Sequence, residues 1–496
     1  MQHGLVVHAV FRGLKAGFEG GFLVSRLVVL SNRTIDPDNE SPGGLAVALK
    51  ESLRRRGGLW FGWSGKLADD ETDRQQVQIR TMGNTSVATI GLSQRDHDTY
   101  YLGYANSVLW PVFHNRLDLG DFDIEFRDGY RRVNRLFAQK LMPLLEPDDV
   151  IWVHDYHLIP VAAELRALGC RNRIGFFLHI PFPPPLIMAA IPEHEALMRS
   201  LFAYDVVGFQ TRSDVDHFVR YVEVEAHAER LDTERLRAFG RSTRVGAFPI
   251  GIDVERFERM ATSEEGLSVC EQMRDEYARR QLLLGVDRLD YSKGLPQRVQ
   301  AFREMLRRYP EMRQSATLIQ IAAPSREDVG AYEQLRQEMD ALCGSVNGDY
   351  GELDWMPVRY IHRSLDRATL PGIYRASRVA LVTPLRDGMN LVAKEFVAAQ
   401  DAADPGVLVL SRFAGAAEDM TDALLVNPYD IQGTACAIHK ALTMPLDERV
   451  QRHAALLKQI REHDVHVWAD DFLRALDGES RAAPMRAAST ERAICP

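Results

Sequence analysis

Short apolar runs that end in polar residues recur along this chain, and each leads into a segment able to form a helix. In the first half Asp149-Val-Ile-Trp-Val153 ends in His154-Asp-Tyr-His157, and Arg173-Ile-Gly-Phe-Phe-Leu178 ends in His179. Tyr204-Asp-Val-Val-Gly-Phe209 ends in Gln210-Thr211. In the second half Gln281-Leu-Leu-Leu-Gly-Val286 leads to Asp287-Arg-Leu-Asp-Tyr-Ser-Lys293, and Thr317-Leu-Ile-Gln-Ile-Ala322 leads to Ser325-Arg326. Ser377-Arg-Val-Ala-Leu-Val382 and Gly406-Val-Leu-Val-Leu410 continue the series. Runs that are apolar on both faces suit strands buried in a parallel sheet, and parallel strands need crossover connections. Such sheets bind ligands outside the carboxyl ends of their strands, where the polar residues collect here. Pro and Gly in Val245-Gly-Ala-Phe-Pro-Ile-Gly-Ile-Asp253 mark a junction. A chain of 496 residues exceeds one ordinary core, so two α/β units are expected.

The most informative of these transitions is Thr383-Pro-Leu-Arg-Asp-Gly-Met-Asn-Leu-Val-Ala-Lys-Glu395. It joins a strand to a segment from Asn390 to Gln400 that lacks Gly and Pro and predicts a helix. Asp387-Gly388 predicts a tight turn, with Gly388 admitting a backbone or a ligand at close range. A strand, a Gly turn and a helix N-terminus form an anion site, because the first helical N–H groups lack partners and the helix dipole favours negative charge. Asp387 and Glu395 add acceptors suited to sugar hydroxyls, while backbone donors suit phosphate. The combination suits a nucleotide sugar; an ordinary βα turn with solvated acids is the alternative.

Arg288 and Lys293 follow another strand and suit a diphosphate, Arg by its planar fork and Lys as a point charge. Surface cations neutralised by Asp287 and Asp290 are the competing reading. Arg33, after the strand Ser25-Arg-Leu-Val-Val-Leu-Ser31, and Arg326 lie in opposite halves, so a second phosphate between facing halves would meet both. Tyr101 and Trp110, within Tyr100-Tyr-Leu-Gly-Tyr-Ala-Asn-Ser-Val-Leu-Trp-Pro111, offer a phenol and a ring face to a sugar. Aromatics at that density more commonly pack a core.

Several function classes are disfavoured. A net charge of −9 does not suit a nucleic-acid or anionic-membrane binder, and no apolar run is long enough to span a bilayer. Charged residues interrupt the first 23 positions, so no signal peptide is expected, and Val24 is read as the older start. The five cysteines are scattered and never spaced C-x-x-C, which argues for a reducing compartment, a cytoplasmic location and no structural zinc. His154, Asp155 and His157 lack a fixed third ligand, and Asp121 and Asp123 read as a solvated loop, so no metal and no other cofactor is expected. No P-loop, dinucleotide-binding G-x-G-x-x-G or G-x-S-x-G motif occurs. A helix is expected over 45–56 behind Pro42-Gly43-Gly44, and the charged stretch 224–244 is ambiguous.

Taken in order, Ser31-Asn-Arg33 with Gly43-Gly44-Leu-Ala46, Gly58-Leu-Trp-Phe-Gly-Trp63, Val108-Leu-Trp-Pro111 and Trp152-Val-His-Asp-Tyr-His157 resemble the trehalose-6-phosphate synthase family. Phe177-Leu-His-Ile-Pro-Phe-Pro183, Arg288-Leu-Asp-Tyr-Ser-Lys-Gly294 and Thr383 to Glu395 resemble it as well, so the likeness runs from about residue 24 to 475. It implies an α/β chain of GT-B architecture, with two Rossmann-like, doubly wound parallel-sheet domains facing a central cleft. The expected divisions are a weakly ordered leader (1–23), an acceptor domain (24–248), a nucleotide-sugar domain (249–465), a helix packing back on the first domain (466–480) and a disordered tail (481–496).

The implied reaction is retaining glucosyl transfer from UDP-glucose to glucose 6-phosphate, giving α,α-trehalose 6-phosphate and UDP. Carried over by position, Gly43 and Gly44 face the donor phosphates, and Arg288 and Lys293 bind its diphosphate. Leu391, Val392, Ala393, Lys394 and Glu395 contact the uridine end, and Asp387 holds the transferred glucose. Arg33, Tyr101, Asp155 and Arg326 hold the acceptor, while Trp110 and His179 set anomeric selectivity. Asp155, His179, Arg288, Lys293 and Asp387 are the implied catalytic set. The family has Phe in places where this chain has Leu365, near the uracil. A homo-oligomer, a tetramer by the same likeness, and a separate downstream phosphatase are implied partners. Alternative readings are a synthase with another acceptor and a catalytically silent sugar-phosphate-binding subunit.

Overall fold

The computed structural model describes residues 25–34, 49–50, 53–54, 57–68, 76–325, 330–366 and 368–479. The leader, the tail, Gly43, Gly44, Arg326 and most of the helix expected over 45–56 lie outside these residues.

The first domain carries β1 (Leu27–Arg33), β2 (Gly58–Leu67), β3 (Gln78–Met82), β4 (Thr85–Leu92), β5 (Val150–His154), β6 (Arg173–Phe177) and β7 (Val206–Phe209). It ends with β8 (Glu229–Arg230), β9 (Arg235–Ala238) and β10 (Arg241–Ala247). The ten form one sheet in the order β3-β4-β2-β1-β5-β6-β7-β10-β9-β8. Its centre is parallel, and antiparallel pairings occur only at its two edges.

The second domain has β11 (Gln281–Arg288), β12 (Ala316–Ala323), β13 (Val358–Ile361), β14 (Val379–Val382), β15 (Val407–Ser411) and β16 (Leu424–Val426). Their order is β13-β12-β11-β14-β15-β16, all parallel. Counted from β11, this is the 3-2-1-4-5-6 order of a dinucleotide-binding sheet, whose switch point lies between β11 and β14. The stretch Thr383 to Glu395 and the Arg288–Lys293 loop leave the sheet at that crevice.

Strand side chains alternate between two cores. Val28 and Leu30 of β1 join one apolar cluster, whereas Leu27 and Val29 join another. The second cluster is continuous through both domains, running from Trp152 and Phe177 to Phe248, Ile250, Leu284 and Phe396. Helix Val465–Asp477 completes it on the first domain's face. Phe472 stacks on Trp152 with centroids 4.7 Å apart. Gly175 and Gly208 make the space: a Cβ on either would lie 2.6 or 2.8 Å from the Phe472 ring.

The chain therefore passes between domains twice, at 248–253 and at 463–465, where Val465 N–H donates to the Ile252 carbonyl at 3.2 Å. The turn at Gly251 presses on this crossing, since a Cβ there would be 2.3 Å from the His463 carbonyl oxygen. A further departure from regular structure is His97–Leu109, a π-helix whose Tyr100 hydroxyl donates to Asn32 Oδ1 of β1 at 2.8 Å, while Tyr101 stacks on His157 and Tyr104 lies against Tyr130. Wide turns of this kind are rare and concentrate at functional sites.

Candidate active site at the domain cleft

At the switch point, Lys293 donates from Nζ to Asp387 Oδ2 at 2.7 Å. Asn390 Nδ2 donates to the same oxygen at 3.1 Å, while its Oδ1 caps the N–H of Ala393 at the start of helix Leu391–Ala399. Burial alone would raise the Asp387 pKa, but the Lys293 ammonium outweighs it and holds the carboxyl below its ordinary value. Asp287 and Asp290 take other hydrogen-bond donors. Asp287 Oδ2 accepts from the buried Arg298 at 2.6 Å, and Asp290 accepts from Ser292 N–H and the Tyr332 hydroxyl. Arg298 also reaches Thr383 Oγ1 at 3.0 Å, so one buried guanidinium braces the ends of β11 and β14. Arg288 is exposed, and its guanidinium lies 5.4 Å from the Trp110 ring on the opposite domain.

The first domain supplies the facing wall. Asp155 adopts φ 75°, a conformation side chains rarely take, directly after β5; Asn390, across the cleft, has φ 82°. Such residues cost on the order of 1–3 kcal/mol and cluster at functional sites. The Asp155 carboxylate accepts from His179 N–H at 3.3 Å. Tyr101 stacks on His157 with centroids 5.9 Å apart and meets Trp63 edge-on at 5.8 Å. Arg33 lies over the same Trp63 at 4.8 Å. Arg33, Trp63, Tyr101, His157 and Asp155 thus form one polar and aromatic wall. His154 and His157 face different neighbours: His154 contacts His179 and Trp152, whereas His157 contacts the tyrosines. Asp123 caps helix Ile124–Leu141 by accepting from Glu125 N–H at 2.7 Å.

The domains touch at several points around the cleft. Gly388 packs on the loop of His179, where a Cβ would stand 2.2 Å from the His179 carbonyl oxygen. The partner that Gly388 admits is a backbone of the other domain. Glu418 accepts from Arg212 N–H at 3.0 Å and Ser213 N–H at 3.2 Å, at the N-terminus of helix Arg212–Glu225. Arg386 lies 3.5 Å from the buried Asp214. At the junction Lys394, 2 % exposed, donates to the Ile250 carbonyl at 2.7 Å. Its ammonium is thus committed to the junction, and Ala393 beside it is fully buried, so a ligand role for either falls to main-chain atoms. Glu395 accepts from the Tyr374 hydroxyl at 3.2 Å. Leu391, Val392 and Leu365 are partly buried against the shared core.

Residue-by-residue reading missed Trp63, His114, Gln210 and Glu418. His114 lies under Trp110, with ring centroids 4.1 Å apart and Nδ1 2.7 Å from the Trp110 carbonyl. Burial pushes it down to about 4, so it is neutral beside Lys293 and Asp387. His-Asn after Trp-Pro-Val-Phe carried no local signal, because the charges that face it, Asp290, Lys293 and Asp387, come from the other domain.

Two parallel-sheet domains with a charged cleft between the carboxyl ends of their strands define a GT-B glycosyltransferase. Residues 27–478 match Glycosyltransferase family 20, and the chain belongs to that family. It is 50% identical over 461 residues to the trehalose-6-phosphate synthase of Sinorhizobium fredii, covering 92% of this chain and 99% of that protein. The Klebsiella pneumoniae enzyme of the same name is 49% identical, with 91% and 95% covered. An alpha,alpha-trehalose-phosphate synthase (UDP-forming) from Burkholderia xenovorans, in complex with glucose-6-phosphate, superposes with a TM-score of 0.88 at 46% identity; 92% of this chain and 100% of that one are covered. The E. coli protein bound with UDP-2-fluoro glucose gives the same TM-score, identity and coverage, 0.88, 46%, 92% and 100%.

Proposed function

We propose that this enzyme transfers glucose from UDP-glucose to glucose 6-phosphate with retention, releasing UDP and α,α-trehalose 6-phosphate. The observation that carries the reading is the Lys293–Asp387 pair at the switch point, with Arg288 facing Trp110 across the cleft. The relatives' UDP-forming activity, and structures of neighbours with glucose 6-phosphate and a UDP-glucose analogue, support it.

Lys293 and Arg288 bind the donor diphosphate, and Asp387, with Lys293 and Asn390 fixing its carboxylate, accepts from glucose hydroxyls. Arg33 and Tyr101 receive the acceptor from the first domain, Asp155 orients its hydroxyls, and Arg326 meets its phosphate from the second. Trp110 and His179 shape the sugar pocket. The acceptor hydroxyl attacks on the face the phosphate leaves, and the departing UDP oxygen takes its proton. The cations and the N-terminus of helix Leu391–Ala399 stabilise the charge that develops on that oxygen, preorganised and away from bulk water.

The transfer is metal-independent: Lys293 and Arg288 neutralise the leaving group. The product keeps its phosphate, so a separate phosphatase must follow to release the free sugar. No helix among the described residues is long and apolar enough to cross a membrane, and the proposed location is the cytoplasm, with the chain as a homo-oligomer.

The test is an acceptor panel. Purified enzyme is given UDP- or ADP-glucose with glucose, glucose 6-phosphate or glycerol 3-phosphate, and products are identified by NMR. Glucose 6-phosphate should be the strong acceptor and glucose a very poor one, because glucose leaves the phosphate-binding cations unpaired. Equal use of glucose would overturn the acceptor assignment; preference for glycerol 3-phosphate would leave the family and change the product.

A further inference from the structure

Gln210 follows β7 and is 2 % exposed, at the point where the first domain meets the junction. Ile250 N–H donates to its Oε1 at 3.0 Å. A backbone amide can only donate, so the Gln210 oxygen faces Ile250 and its nitrogen faces the other way. There Nε2 lies 3.4 Å from Nδ1 of His179. The amide NH₂ can only donate in turn, so His179 Nδ1 accepts and the ring carries its proton on Nε2. Nε2 stands 3.1 Å from Nδ1 of His154, which accepts and keeps its own proton on Nε2. One backbone N–H thereby determines two tautomers in succession. Burial acts in the same direction, pushing His179 down to about 3 and His154 well below its ordinary value, so both rings are neutral.

The His179 ring is also confined by Phe177 at 4.6 Å and Trp468 at 6.1 Å. Its backbone reaches into the cleft on both sides, with N–H on Asp155 and carbonyl against Gly388. The anchor is tied to the donor side as well, because the same Ile250 accepts from Lys394 through its carbonyl.

We infer that Gln210 is a positioning residue for glucosyl transfer: anchored on the junction amide of Ile250, it holds His179 in the Nε2–H tautomer and so fixes the loop that meets Asp155 and Gly388. The inference rests on the transfer reading above. It assigns His179 an orienting role, since both ring nitrogens are occupied and neither is available for proton transfer.

The experiment uses full-length enzyme labelled with imidazole-¹⁵N histidine, as wild type, Gln210→Glu and Gln210→Met. His179→Asn identifies the His179 signals by their loss. In the wild type Nδ1 should be unprotonated and Nε2 protonated. The carboxylate of Gln210→Glu accepts at both oxygens, so a proton should move onto Nδ1; Gln210→Met offers no donor and should release the preference. UDP release in the presence of glucose 6-phosphate should slow by roughly 10- to 100-fold in kcat for Gln210→Glu, with little change in either KM. A merely structural Gln210 would not move the ¹⁵N signature. A proton on Nδ1 of wild-type His179, or a wild-type kcat in folded Gln210→Glu, would overturn the inference. If Gln210→Glu does not fold, the wild-type signature and Gln210→Met decide it. Absence of transfer by wild type that shows the Nε2–H tautomer would overturn the transfer reading alone.

Discussion

Lys293 and Asp387 are separated by 94 residues in the chain and by 2.7 Å in space. Each follows a strand of the second sheet, β11 or β14, and those strands are neighbours because the strand order reverses between them. The topology therefore builds an ion pair at the one crevice where such a sheet opens for a ligand. Its members are 11% and 14% exposed, so the pair is screened only weakly by solvent.

Removing one member should be costly. Lys293→Ala leaves Asp387 buried without its cation and takes a positive charge from the donor phosphates. UDP affinity and turnover should both fall, with roughly 2–4 kcal/mol of transition-state stabilisation lost. Calorimetric UDP titration and steady-state kinetics measure the two effects; wild-type values in both would remove Lys293 from the donor site.

Gly388→Ala tests the approach of the two domains. A Cβ there would stand 2.2 Å from the His179 carbonyl oxygen, and both sides of that contact are backbone. The turn must withdraw, at a cost of about 1–3 kcal/mol in the closed arrangement. Small-angle scattering with UDP present should show a more open particle, and turnover should drop. An unchanged particle and unchanged kcat would show that the contact is dispensable.

Lys394 predicts a pH effect on stability. Burial, partly offset by Asp419, lowers its ammonium from 10.5 to about 8. Between those values the unfolded chain binds a proton that the folded chain does not, so this group makes stability rise with pH through the window. The full effect is on the order of 3 kcal/mol. Chemical denaturation of wild type and Lys394→Met across pH 7–10 isolates it. The wild-type advantage over the variant should grow with pH, and a difference flat in pH would contradict the burial of a charged Lys394.

Exhaustive chelation should leave glucosyl transfer intact. The proposed charge stabilisation comes from Arg288, Lys293 and a helix N-terminus, none of which needs a divalent ion. Activity lost to a chelator and restored by Mg²⁺ or Mn²⁺ would return attention to Asp121 and Asp123.

Much of the architecture was legible because it is local. A strand buried on both faces needs consecutive apolar residues, and β5, β6, β7, β11, β12, β14 and β15 each announce themselves that way. Polar residues at their carboxyl ends follow from where such sheets open, which is how Arg288, Lys293 and Asp387 could be read one strand at a time. The edge strands escaped notice because their signal is weaker. In β9, next to the edge, only Leu236 and Ala238 face inward while Arg235 and Arg237 are exposed, and the edge strand β8 is the exposed pair Glu229–Arg230; charged edges of this kind discourage pairing with other chains. The hairpin of β3 and β4, and the π-helix His97–Leu109, likewise have no local pattern that separates them from ordinary loop and helix.

By itself, then, the sequence determined which segments must be buried strands and which side chains stand at their ends, since both follow from periodicity within a few residues. Only the tertiary structure decided how those side chains pair. It turned Asp287 to Arg298 and Asp387 to Lys293, committed Lys394 to the junction carbonyl of Ile250, and set Gln210 between Ile250 and His179. Charges and amides are promiscuous in sequence, since any carboxylate suits any nearby cation. Burial removes water as a competing partner, so each must bond whatever the packing of two domains brings within reach.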